Sequence, residues 1–358
     1  MQTKATSQLS LLEKLDLIPA VASIVGVAIF SALTAFLRSP RDPPSIRLHI
    51  AYALLRKATT RLTPLQFQLI LPLTSVVYTQ YARSANMKPE TVDLGHGAQG
   101  HWLGSKNAKN VLIWYHGGGY CLPANMGYFI FLDGLVASAR SHGQDLAVFV
   151  PTYSLAPGAA YPTQLTQSVE ALRYVLEHTS RAPAQVLLGG DSAGGNLAMG
   201  VLSHLAHTHP AIEPLKVNEP LAGVVAIAPW TLIGEDHSAR LAGIYSGGDL
   251  ITPEVDGPWA GAFLGGAPKD YYTSASAAPP SWLGAFPVAQ VLICGGGSEI
   301  MLPAIEDFAE KLQAALPIVE FFVGPREGHV APVYNVYAGD RNETQQGKKV
   351  KSWLRNIL

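Results

Sequence analysis

Charged residues are scarce in this chain. They make up 14% of 358 residues, and 25 Lys and Arg nearly balance 26 Asp and Glu. A formal net charge of −1 leaves no basic stripe to follow a phosphate backbone, which excludes nucleic acid as a partner. Cysteine is nearly absent. Cys121 and Cys294 are too few for a disulfide scaffold and do not have the spacing of a metal cluster. Each lies in or beside an apolar stretch and is expected as a small buried hydrophobe. His204, His207 and His209 gather near one helix end, not on one face and with no carboxylate beside them, so no metal is expected. No Gly-Lys-Ser/Thr follows a glycine cluster, and the spacing of a dinucleotide fingerprint is missing, so no cofactor is expected either. Internal repeats and low-complexity tracts are also lacking.

The scarcity of charge has a local extreme. From Leu17 to Leu37 the chain reads LIPAVASIVGVAIFSALTAFL, uncharged between Asp16 and Arg38. At 1.5 Å per residue the run spans roughly 30 Å, the thickness of a hydrocarbon core. A signal peptide would have a more positive leader and a shorter core, and a buried helix would carry more than Ser and Thr on a polar face. The expected layout is therefore a short polar tail (1–16), a single membrane anchor (17–37), a linker with cap helices (38–95) and a catalytic domain (96–358). Arg38, Arg41 and Arg47 follow the span, and the positive-inside bias favours a cytosolic catalytic portion. The sequon Asn342-Glu343-Thr344 would matter only on the opposite side.

Beyond the anchor, residues 46–84 carry helical patterning interrupted at Pro64 and Pro72. Strands are predicted at Gly97–Leu103, Val111–His116, Ala147–Thr152, Gln185–Leu188, Gly223–Ala228, Ala289–Cys294 and Val319–Val323. Helices are predicted at Phe129–His142, Thr163–Thr179, Asn196–His207, Ile305–Ala314 and Gln345–Leu358. This alternation implies an α/β fold with a mostly parallel central sheet flanked by helices. It stops between residues 231 and 287, a stretch rich in Gly, Pro, Ser and aromatics (Trp259, Phe263, Tyr271, Tyr272, Trp282) that reads as an insertion above the sheet.

The chemistry centres on Gly190-Asp191-Ser192-Ala193-Gly194, between the apolar run Val186–Leu188 and a helical pattern. A Gly-x-Ser-x-Gly at a strand-to-helix junction is a nucleophile elbow, with the serine hydroxyl exposed at a helix N-terminus. Upstream, His116-Gly117-Gly118-Gly119 ends a strongly apolar strand and can aim backbone N–H groups at one point. The predicted oxyanion donors are the amides of Gly117, Gly118 and Ala193, with His116, Gly119 and Asp191 as supporting residues. His329 follows the last strand in Gly324-Pro325-Arg326-Glu327-Gly328-His329 and is the candidate base. Glu299, the first carboxylate after Ala289–Cys294, is the candidate acid, and Asp307 is its rival on the following helix.

Together, His116-Gly117-Gly118-Gly119, Gly190-Asp191-Ser192-Ala193-Gly194-Gly195, Ala228-Pro229-Trp230 and Gly328-His329-Val330 resemble the hormone-sensitive-lipase-like branch of the α/β-hydrolases, from about His96 to the C-terminus. The anchor followed by cap helices is similar to that of its membrane-bound arylacetamide deacetylase and steryl acetyl hydrolase types. The family's acid block reads Asp-x-Leu-x-Asp. Here the matching positions are Glu299-Ile300-Met301-Leu302-Pro303, so Glu stands for the first Asp and the second is lost. The resemblance implies a serine ester hydrolase of the endoplasmic reticulum membrane acting on a hydrophobic small molecule, with Ser192, Glu299 and His329 as triad. A biosynthetic acyl-type step on a natural product, or a non-catalytic ligand receptor, are the alternatives on the same fold. Receptors of that kind typically lose the histidine that this chain keeps at 329.

Overall fold

The computed structural model describes residues 8–234 and 243–358. Its eight strands are β1 (Thr91–Gly95), β2 (Ala98–Leu103), β3 (Asn110–Tyr115), β4 (Leu146–Thr152), β5 (Val186–Asp191), β6 (Gly223–Ile227), β7 (Val291–Gly296) and β8 (Val319–Gly324). They form one sheet in the order β1-β2-β4-β3-β5-β6-β7-β8. β2 runs antiparallel to both β1 and β4, and every later pairing is parallel. Every residue of β3 and β5 is buried, which is why these strands read as continuous apolar runs and not as an alternation. Helices Met126–Ser141 and Gln345–Ile357 cover one face, and helices Thr163–Arg173, Ala193–Ala206 and Leu302–Ala315 cover the other. The last helix of the chain buries Val350, Trp353 and Leu354 at helical spacing and turns Lys348 to solvent. Cys121 and Cys294 are both fully buried, as expected.

Outside the insertion, strand β1 and one helix near the base loop were not foreseen. β1 begins at residue 91, ahead of the expected domain start at 96, and only its Leu94 is buried. An edge strand with one inward side chain leaves almost no periodic signal. Helix Ala331–Tyr337 is short and follows Val330 in a left-handed conformation, with Pro332 in its first turn. Of the expected insertion at 231–287, residues 235–242 lie outside the described residues, as do residues 1–7 of the expected tail. The rest of the insertion contains helix Asp256–Leu264 and the short helix Pro280–Leu283.

The cap consists of helices Ile46–Arg61, Pro64–Ile70 and Thr74–Ser84. Pro64 starts a helix because its missing N–H falls where no intrahelical partner exists, and Thr63 and Gln66 complete a capping box there. The apolar N-terminal segment is helical from Leu17 to Leu33 and packs against Ile46–Arg61, with Ala20 and Ile24 in the core. Its outer face exposes Ile18, Val25, Ile29, Phe30 and Leu33. Arg61 grips Asp16 with two bonds of 2.8 and 2.5 Å, and Gln66 adds a third at 3.2 Å.

Candidate active site

Ser192 sits between β5 and helix Ala193–Ala206 with φ 49° and ψ −118°, a conformation that costs a non-glycine residue about 1–3 kcal/mol. The surrounding backbone fixes it. The Ser192 N–H donates to Ile227 O at 2.9 Å, and its carbonyl accepts from Trp230 N and Asn196 N, both at 3.0 Å. Gly194 shows why the motif needs glycine: a Cβ there would lie 1.8 Å from the carbonyl oxygen of Tyr115. The helix therefore starts three residues earlier than its propensity suggests, through two glycines, because tertiary contact outweighs local preference.

The two carboxyl-end loops meet above this elbow. His329 Nδ1 lies 3.2 Å from Glu299 Oε1, and Glu299 Oε2 accepts the Gly296 N–H at 2.5 Å. The acid loop is stitched to the base loop by Gly297 N to Gly324 O and Ser298 N to Glu327 O, both 2.8 Å. Glu327 in turn accepts Gln346 N at 3.0 Å at the start of the last helix. Burial pulls the His329 imidazole down, but the Glu299 hydrogen bond and charge, with Asp249 and Asp191 nearby, reverse this and hold it above its ordinary value. The rival acid Asp307 faces solvent on helix Leu302–Ala315.

The glycine loop differs from expectation at one position. The Gly117 N–H is bonded to Tyr128 Oη at 3.0 Å and Asp191 Oδ2 at 3.2 Å, so it is not available to an oxyanion. The glycines that line the cavity are Gly118 and Gly119, and among the described residues no acceptor takes their N–H groups. Asp191 also accepts from Tyr128 Oη at 2.6 Å and Trp114 Nε1 at 3.0 Å. Burial raises its carboxyl to about 6 against the pull of these bonds. Asp191 thus ties the elbow to the glycine loop. His116 is buried, stacks on Tyr153 at 4.4 Å and is pushed by burial to about 4, so it is a neutral packing residue.

Ser192, His329, Gly118 and Gly119 line a cavity of about 1060 Å³, counting its open mouth. Leu55, Phe67 and Leu71 of the cap and Leu250 and Trp259 of the insertion make most of it apolar. Only part of the aromatic insertion covers this cavity. Trp259 lies against Gly119, where a Cβ would come 2.2 Å from its ring. Trp282 instead stacks on His207 at 3.7 Å, and the Tyr272 hydroxyl donates to His207 O at 2.6 Å, at the far end of helix Ala193–Ala206. Two residues at the site have no motif that marks them. Tyr128 lies one residue before its predicted helix, and Asp249 is an isolated acid between Gly248 and Leu250-Ile251.

A family model of the alpha/beta hydrolase fold matches residues 112–333, more than half of the chain, and the chain belongs to that family. Steryl acetyl hydrolase 1 of Saccharomyces cerevisiae is 34% identical over 124 residues, 34% of this chain and 26% of that protein. Arylacetamide deacetylase of Rattus norvegicus is 30% identical over 134 residues, covering 32% and 33% respectively. The chain thus spans a third or less of the length of these two relatives. "Probable carboxylesterase 7" of Arabidopsis thaliana is 28% identical over 270 residues, 68% of this chain and 77% of that one. Among solved structures, an esterase from the bacterial hormone-sensitive lipase family superposes with a TM-score of 0.62 at 20% identity, over 95% of this chain and 98% of the other. At that identity the likeness is one of fold.

Replacing Gly194 by Ala would force the Tyr115 peptide and the elbow apart. The expected outcome is a drop of about 2 kcal/mol or more in unfolding free energy by denaturant titration, with loss of Ser192 reactivity toward a fluorophosphonate. An unchanged denaturation midpoint would contradict the packing described.

Proposed function

We propose that the protein is a serine carboxylic-ester hydrolase acting on a hydrophobic small molecule. The observation that carries this reading is the meeting of a strained Ser192 with a buried His329–Glu299 pair in one apolar cavity. Glu299 engages Nδ1, which leaves Nε2 of His329 to take the Ser192 proton as the hydroxyl attacks the acyl carbon. The carboxylate stabilises the imidazolium that results. The Gly118, Gly119 and Ala193 amides receive the tetrahedral oxyanion, the last from the first turn of a helix whose dipole favours negative charge. The alcohol departs with the proton from His329. Water then attacks the acyl carbon as it gives up a proton to His329, and His329 returns that proton to Ser192 Oγ as the acid leaves. The apolar lining favours a bulky apolar ester, and the names of the relatives support deacylation. The intact His329–Glu299 pair weighs against a ligand receptor with no chemistry.

The N-terminal helix supports membrane attachment of the same enzyme. Within Leu11–Leu33 an apolar stretch of 18 residues is 17% buried, and Arg38, Arg41 and Arg47 follow it. We place the enzyme on the endoplasmic reticulum membrane with its catalytic portion in the cytosol.

Ser192→Ala is expected to reduce turnover of a short-chain p-nitrophenyl ester to background; retained activity would remove the mechanism. The base works only when unprotonated, so a raised His329 pKa moves the acid limb of kcat/KM above the ordinary imidazole range. Glu299→Gln leaves burial dominant, and the limb should move to lower pH while kcat falls by about 10³-fold. Full-length protein should stay with the membrane pellet in alkaline carbonate and show no endoglycosidase shift. A shift at Asn342 would put the catalytic portion in the lumen, and extraction by carbonate would exclude the anchor.

A further inference from the structure

Asp249 lies in the insertion between β6 and β7, and its carboxylate is fully buried. Oδ1 accepts the N–H of His329 and of Leu250, both at 2.7 Å, and Oδ2 accepts the N–H of Ile300 at 2.8 Å. Ile300 directly follows Glu299. One carboxylate therefore joins the base residue to the neighbour of the acid residue. The stitches from Gly297 and Ser298 end at Gly324 and Glu327, short of both His329 and Ile300. We propose that Asp249 is the positioning residue of the catalytic pair, fixing the backbones of His329 and Ile300 to one another and so aligning the imidazole between Glu299 and Ser192. The proposal rests on the reading of Ser192, His329 and Glu299 as the reacting groups.

Three features favour this over a generic structural acid. Among the described residues no cation bonds to the oxygens of Asp249; such burial of a carboxylate is costly, and it raises this one to about 6. The Arg56 guanidinium of the cap donates to the backbone carbonyls of Asp249 and of Gly247, the latter at 3.0 Å, and so holds the loop and not the charge. The residue before the base is shaped to admit Asp249: a Cβ on Gly328 would lie 3.2 Å from Asp249 Oδ1 and 2.7 Å from the Tyr52 ring. The ionisable groups around the pair are Glu299 on the acid loop, Asp191 on the elbow, Glu327 on the base loop, and Tyr52 and Arg56 on the cap. Asp249 is thus an anion that also bears on the protonation of His329.

The test compares full-length wild type, Asp249→Asn and Asp249→Ala on a short-chain p-nitrophenyl ester, with kcat, KM, the pH profile and the thermal midpoint measured for each. Asn keeps the shape and one acceptor oxygen, loses the charge and turns an NH2 toward backbone N–H donors. The expected result is a fall in kcat of roughly tenfold or more with KM little changed, since a misaligned base impairs the chemical step. The acid limb of kcat/KM should also move to lower pH, as it does when an anion near His329 is removed. A lowered thermal midpoint with kcat and the acid limb unmoved would overturn the proposal and leave Asp249 a structural residue only. If Asp249→Ala fails to fold, Asp249→Asn decides between these outcomes. Wild type inactive on the ester would bring down the reading of the site and this proposal with it. Wild type active and Ser192→Ala inactive, with Asp249→Asn unaltered, would bring down this proposal alone.

Discussion

The contact on which the site depends is between two pieces of backbone. The carbonyl of Tyr115, at the end of β3, reaches so close to Gly194 that no side chain fits between them. That approach brings the start of the elbow helix against the glycine loop, and it forces Ser192 into a left-handed conformation that nothing local would choose. The strain is held because the Ser192 N–H donates to the Ile227 carbonyl of β6 and its own carbonyl accepts from Trp230 N just beyond that strand, so β6 and the turn after it act as the clamp. Asp191 makes the same junction from the side-chain direction, with one oxygen on the Trp114 indole and the other shared between Tyr128 and Gly117.

Farther out, the chain achieves the alignment of His329 and Glu299 by glycine-rich loops pressed together, and not by a rigid element. Neither His329 nor Glu299 lies in a helix or strand. Their order comes from a set of backbone bonds among the loops, closed by a side chain from an insertion that is separate from both. The cap takes part as well. Tyr52 donates to Asn335 at 2.6 Å, and Gln68 donates to Cys121 O and Ala156 O, both at 2.8 Å, so the N-terminal helices grip the base side and the glycine-loop side of the cavity together.

What the sequence made legible follows from how strong each local constraint is. The buried parallel strands and amphipathic helices were readable because burial on two faces, or on one helical stripe, imposes a pattern. The positions of Ser192, His329 and Glu299 on turns after strands were readable because turn chemistry demands glycines beside them. β1 was not, because an edge strand that buries only Leu94 imposes no pattern. The choice between Gly117 and Gly119 as donor was also hidden, since it depends on which N–H the Tyr128 hydroxyl and Asp191 occupy, a matter of tertiary geometry. Asp249 was hidden for the same reason. Its partners are three backbone amides, two of them about 50 and 80 residues away in sequence. The aromatics of the insertion misled because Trp259 and Trp282, alike in sequence, belong to different clusters.

The insertion puts two jobs on neighbouring residues. Leu250 shapes the cavity wall while Asp249 holds His329. Under the proposed function, drift in this segment that reshapes the pocket for a new ester would also disturb the loop that carries His329, which couples substrate range to turnover across a single peptide bond. Lineages that diversify this pocket would be expected to do so first through Phe67 and Leu71 of the cap, whose neighbour Gln68 bonds to the glycine-loop side of the cavity and not to the loop that carries His329.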